Sequence, residues 1–162
     1  MRLSRFRRRI RILSLAALLC LLSVVAAAEQ PASDDAAPDS SQSFNAARVA
    51  ERLLSQIQRG IEARNSRQML AAFDHDRMPG YLTFKDQVEA FFAQHDSFRV
   101  YLRVESASLE KDAGSAVVQA TLEFTPVDGS PAVRRQAELS FEFSKTEGRW
   151  KIVDFEPRGF FS

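Results

Sequence analysis

Apolar residues recur through residues 44–63 with the period of a helix. Val49, Leu53, Ile57 and Ile61 fall four apart, and Ala46, Ala50 and Leu54 widen the stripe. Arg48, Glu51, Arg52, Gln56 and Arg59 take the opposite face. This spacing predicts an amphipathic first helix. Asn65, with Gln68 three residues on, has the form of an N-cap. It opens a short second helix carrying Met69, Leu70 and Phe73 and ending near Asp74. Met78-Pro79-Gly80-Tyr81 reads as a turn, because proline presets φ and glycine relaxes it. Thr83 is expected to cap a third helix, with Asp86 at its N3 position. The apolar residues of that helix are Phe84, Val88, Phe91 and Phe92.

After His95-Asp96-Ser97 the period falls from 3.6 to 2. Phe98, Val100, Leu102 and Val104 alternate with Arg99, Tyr101, Arg103 and Glu105. Ala116, Val118, Ala120, Leu122 and Phe124 form a second apolar register. Val133, Ala137, Leu139, Phe141 and Phe143 form a third, in which Arg135 breaks the pattern. Turns are expected at Lys111 to Gly114, at Asp128-Gly129 and at Glu147-Gly148. Trp150, Ile152, Val153 and Phe155 make a last strand with a change of face at Ile152-Val153. The predicted fold class is α+β: three N-terminal helices packed on the apolar face of a curved four-stranded antiparallel sheet, cone-like in shape. The two phenylalanines of Gly159-Phe160-Phe161-Ser162 are expected to fold back on it.

Charge divides the chain. Its 22 basic and 21 acidic residues give a balance of +1. Residues 1–28 hold six arginines and no acid, which leaves −5 for the remainder. The arginines precede an apolar run and Ala26-Ala27-Ala28, the form of a signal peptide. The expectation is export to the periplasm or outside the cell, with cleavage after Ala28. The alternative is a retained segment anchoring the protein to a membrane. Residues 29–43 are small, acidic and Pro/Ser-rich, and read as a disordered linker. Residues 44–162 are then the folded domain. Cys20 is the single cysteine and lies in the export segment, so the exported domain has no thiol, disulfide or cysteine metal site. An acidic balance without a basic stripe excludes a nucleic-acid partner.

The long first helix, the Arg64-Asn65-Ser66 break, the third helix before long strands, and the ending Glu147-Gly148-Arg149-Trp150-Lys151-Ile152-Val153 together resemble the nuclear transport factor 2-like superfamily, also called SnoaL-like or cystatin-like. The resemblance covers roughly residues 44–156. It implies a cone whose inner face holds the chemistry in the superfamily's enzymes. Superfamily members include isomerases, dehydratases, polyketide cyclases, transport factors and secretion-system components, so the fold transfers better than the function.

An isomerase-like site needs a carboxylate base and an oxyanion donor in one cavity. The inward strand set from Val100 to Phe143 offers neither. The polar candidates are Asp74, His75 and Asp76, with His95-Asp96, and both histidines precede an aspartate. They define an alternative enzyme reading, an isomerase, dehydratase or hydrolase using a His–Asp pair at the cone mouth. Two histidines 20 residues apart do not make a metal signature, and no metal or cofactor is expected. Phe73, Tyr81, Phe91, Phe92 and Phe98 are the residues expected to line any small-ligand pocket, against the competing expectation that they fill the core. The leading expectation is a non-enzymatic exported domain binding a small apolar ligand or a protein partner. It is a monomer or a polar homodimer, since the outer sheet face is charged. A membrane-anchored envelope assembly subunit is the remaining alternative.

Overall fold

The computed structural model describes residues 40–162, so the expected export segment and residues 29–39 of the expected linker lie outside the described residues. Helix α1 spans Ser40–Glu62, α2 Ser66–Leu70 and α3 Tyr81–Gln94. Strands β1 (His95–Glu110), β2 (Ala113–Pro126), β3 (Val133–Thr146) and β4 (Arg149–Glu156) follow, and a one-turn 3-10 helix, Arg158–Phe161, ends the chain. The strands pair antiparallel in chain order. This is the predicted α+β architecture, with the first helix starting four residues earlier than its apolar stripe requires. No helix among the described residues is long and apolar enough to cross a membrane.

Helix α1 buries the predicted stripe: Ala46, Ala50, Leu53, Leu54, Ile57 and Ile61 are all buried. Its last turn lies hard against α2. A Cβ on Gly60 would stand 2.4 Å from the Met69 nitrogen, so only glycine permits the crossing. The Asn65 cap forms as expected, its side chain accepting from the Gln68 amide at 3.0 Å. Helix α2 ends at Leu70, earlier than predicted. Phe73 instead makes a parallel bridge to Ile152: the Asp74 amide donates to Ile152 O at 2.8 Å, and the Ile152 amide to Ala72 O at 2.9 Å. Helix α3 starts two residues before the predicted Thr83 cap. Gly80, at φ +70°, turns the chain directly into it, and its carbonyl accepts from the Phe84 amide at 3.0 Å.

Strand β1 carries two bulges, between Asp96 and Arg99 and between Val104 and Ser106. The second changes which side chains face inward. Phe98 and Val100 are buried before it and Leu102 and Val104 half-buried, whereas Ala107 and Leu109 turn toward the core after it. Each extra residue bends the strand and adds twist, which curves the sheet around α1 and α3. A third irregularity, between Glu142 and Phe143 on β3, is matched by an extra residue at Val153 in β4. It lets both Ile152 and Phe155 face inward, as the predicted change of face requires.

Candidate functional site

The cone is filled. Val100, Val118, Ala120, Leu122, Leu139, Phe141 and Phe143 are buried. Phe91 lies 5.4 Å from Phe98 and 4.9 Å from Phe124 between ring centres, and Phe84 lies 5.0 Å from Phe73 and 5.1 Å from Phe155. The apolar void between α1 and the sheet has a volume of about 10 Å³, room for one water at most. Of the five residues expected to line a ligand pocket, Phe73, Phe91, Phe92 and Phe98 are buried among other core side chains. Tyr81 is half-buried at the surface.

One inward position is charged. Arg135 stands opposite Leu122, in register with the apolar positions of β3, so it does not leave the alternation but places a cation on the inner face. Its guanidinium lies 5.6 Å from the Phe91 ring centre and 5.3 Å from that of Phe124. Nη1 donates to the main-chain oxygens of Gly159, Phe160 and Ser162 at 3.1, 2.7 and 2.8 Å. The tail folds back as expected and buries Phe160 and Phe161 completely. Arg135 is therefore the latch of that tail. Sequence periodicity registered the anomaly but not its purpose, because the acceptors are backbone atoms some 25 residues on.

The Asp74-His75-Asp76 trio divides between two environments. Asp74 is 6% exposed, and both its oxygens are engaged. Oδ1 accepts from the amides of Asp76 and Arg77, each at 3.1 Å, and Oδ2 from the Thr146 hydroxyl at 2.9 Å. Burial raises its pKa, but the Thr146 hydroxyl, the two amides and the Arg77 charge outweigh it, and the carboxyl is held below its usual range. Arg77 Nη1 extends the network to the Ser144 hydroxyl at 2.5 Å. His75 Nε2 and Asp76 Oδ1 are 3.2 Å apart, on side chains 72% and 78% exposed. One ligand atom from each of the three lies within 4.8 Å of the others, but the hydrogen bonds of Asp74 occupy it locally. At the other end of α3, the rings of Phe91 and Phe124 each lie 4.6 Å from that of His95, whose Nδ1 is 2.8 Å from Phe91 O. Asp96 pairs with Arg64. The two His–Asp sequence pairs are thus a surface contact in one case and two separately engaged side chains in the other.

Recesses open at the surface: one of about 960 Å³ runs over β1–β3 beside Gln58, with Tyr101, Gln119 and Glu138 in its wall, and another lies where α2, α3 and β4 meet. The second gathers the most cations. It is a cleft of about 880 Å³, open to solvent along one side. Leu70, Phe73 and Tyr81 supply its apolar lining; Arg64, Arg67, Lys85, Lys151, Glu89 and His75 supply its polar groups. Phe73 and Tyr81 are thus the two predicted ligand residues that reach a cavity. Lys85 is held by Glu89 at 3.1 Å, and Lys151 donates to Ala71 O. Burial, then the nearby Arg149 charge, lowers the pKa of Lys151, with Asp74 opposing. Burial raises that of the Tyr81 phenol, Lys85 opposing and Glu89 reinforcing. In the sequence Arg64 stands out only as part of a helix break and Lys151 only as part of the last hairpin, and nothing singles out Arg67 or Lys85.

No family profile and no curated protein matches the chain. Solved structures do. A proposed aromatic ring hydroxylase from Novosphingobium aromaticivorans superposes with a TM-score of 0.58 at 19% identity, over 69% of this chain and 87% of that one. A proposed scytalone dehydratase from the same organism gives 0.58 at 12% identity, over 67% and 79%. A hexachlorocyclohexane dehydrochlorinase from Novosphingobium barchaimii gives 0.52 at 17%, over 67% and 82%. The chain has the nuclear transport factor 2-like fold. These similarities extend to the α+β cone and not to its chemistry, since the fold hosts many activities. In this chain the inner face of the cone is densely packed, and the large clefts open at the surface.

Proposed function

We propose that this protein is an exported, non-enzymatic binding domain that docks a protein partner in the cleft between α2, α3 and β4. The observation that carries the reading is the contrast between a filled interior and an open cleft with a mixed polar and apolar lining. A small apolar ligand needs an enclosing pocket that removes most of its surface from water; a void of about 10 Å³ gives it none. The enzyme reading through Asp74, His75 and Asp76 has less support, because both oxygens of Asp74 are committed to local hydrogen bonds and His75–Asp76 is open to solvent. Export is supported by the arginine-rich, then apolar, then alanine-rich order of residues 1–28.

The test is site-specific photo-crosslinking in the exporting cell. A photoreactive residue replaces Ala71 on the cleft rim or, as a control, the exposed Ser108 on β1. A discrete adduct from position 71 that disappears with Arg67→Glu or Lys151→Glu is expected. An adduct indifferent to those changes, or formed equally from position 108, contradicts the proposal.

A further inference from the structure

We infer that the cleft's occupant is an acidic segment of another protein, in which carboxylates are interspersed with apolar side chains. The inference rests on the docking role proposed above and names the chemistry of the partner. Its basis is charge. Residues 44–162 are close to neutral, with 16 basic against 17 acidic side chains, yet the cleft gathers Arg64, Arg67, Lys85 and Lys151 against one carboxylate, Glu89. Glu89 is already taken by Lys85, and Arg64 by Asp96 and the Phe92 carbonyl. Arg67 and Lys151 have no carboxylate partner among the described residues. Lys151 gives one hydrogen bond to a backbone carbonyl and retains further donors. Two cations without an ion-pair partner, in a cleft with an excess of positive charge, complement carboxylates and steer them in from solution.

The lining also has an apolar part. Leu70 and Phe73 are buried residues whose surfaces reach the cleft, and Tyr81 is half-buried beside them. Charged hydrogen bonds from Arg67 and Lys151 fix the carboxylates. Tyr81, with the exposed edges of Leu70 and Phe73, receives apolar side chains beside them. The open side decides between a peptide and a small carboxylate. A small ligand would keep much of its surface in water here, whereas a polypeptide segment can lie along the cleft and cover it.

Amide NMR titration of the whole chain at low salt tests this. Three probes are used: a short capped peptide alternating Glu with Leu, the same peptide with Gln for Glu, and decanoate. Saturable shifts at Ser66, Ala71, Tyr81 and Lys151 are expected with the Glu peptide, with binding about tenfold weaker for the Gln peptide. Arg67→Gln and Lys151→Gln should each weaken the Glu peptide several-fold, and added salt should weaken it further. Arg67 is exposed, so its variant folds. Absence of saturable shifts with the Glu peptide overturns the inference. Equal binding of the Gln peptide at the same residues also overturns it, while leaving the cleft as a docking surface. Shifts confined to other surfaces overturn both readings. Cleft shifts with decanoate alone assign the site to small carboxylates and overturn the protein-segment reading.

Discussion

Asp74 is a carboxylate whose role changes once its neighbours are known. By sequence it belongs with His75 and Asp76 as candidate chemistry. In the fold it closes the turn after the Phe73–Ile152 bridge and ties that turn to Thr146 at the end of β3. Asp74→Asn removes a charged acceptor of three bonds and should cost about 1–3 kcal/mol at neutral pH, read by urea denaturation. The sign of its pH dependence follows from its depressed pKa. The stabilisation is present above the unfolded value of 3.8 and is lost as pH falls through the lower folded value. The gap between wild type and Asp74→Asn should therefore narrow below about pH 4. Gly60 makes a second residue-scale case. Gly60→Ala sets a methyl 2.4 Å from the Met69 nitrogen and should cost about 1–3 kcal/mol, seen as a lowered denaturation midpoint. Neither role was legible in the sequence, since each depends on an atom brought close only by the packing of separate elements.

At the scale of elements, periodicity predicted what is set by burial and missed what is set by local geometry. The stripes of α1 and α3 and the inward positions of β2 were all legible, because each side chain's burial follows from a fixed repeat. The β1 bulge that turns Ala107 and Leu109 inward was not, because one extra residue shifts the register without any composition signal. The start of α3 was missed for a related reason: Gly80 enters the helix through backbone conformation and leaves Thr83 without a capping role. The tail joins both kinds of information. Phe160 and Phe161 announce burial, while Arg135 and Arg158 supply the attachment, Arg158 pairing with Asp154 and donating to Pro79 O at 2.6 Å. Phe161→Ala should cost about 3–5 kcal/mol, since the ring is buried against Phe155 at 5.6 Å. Arg135→Ala should cost about 1–3 kcal/mol. The double variant should cost less than the sum, because both residues hold the same tail. Thermal unfolding of the four proteins of the cycle measures that coupling, and strict additivity would show that Arg135 does not act through the tail.

Across the whole molecule, the fold was legible as an order of three helices and four strands, and the candidate site only in Phe73 and Tyr81. The five residues expected to line a pocket are marked out only by their aromatic rings, and aromatic side chains serve a core as readily as a ligand. Only the packing shows that Phe91, Phe92 and Phe98 are spent on each other, at 5.4 Å between Phe91 and Phe98 and 5.1 Å between Phe92 and Phe98. Conversely, Arg67 and Lys151 lie 84 positions apart, and it is the α2–β4 approach that sets them in one cleft. The proposed role requires a full interior. Xenon enters dry apolar cavities, so a crystal of the protein under xenon pressure tests it directly. No xenon is predicted between the helices and the sheet. An ordered xenon atom seated among Val100, Val118, Leu139 and Phe141 would contradict the filled cone and restore an internal ligand site.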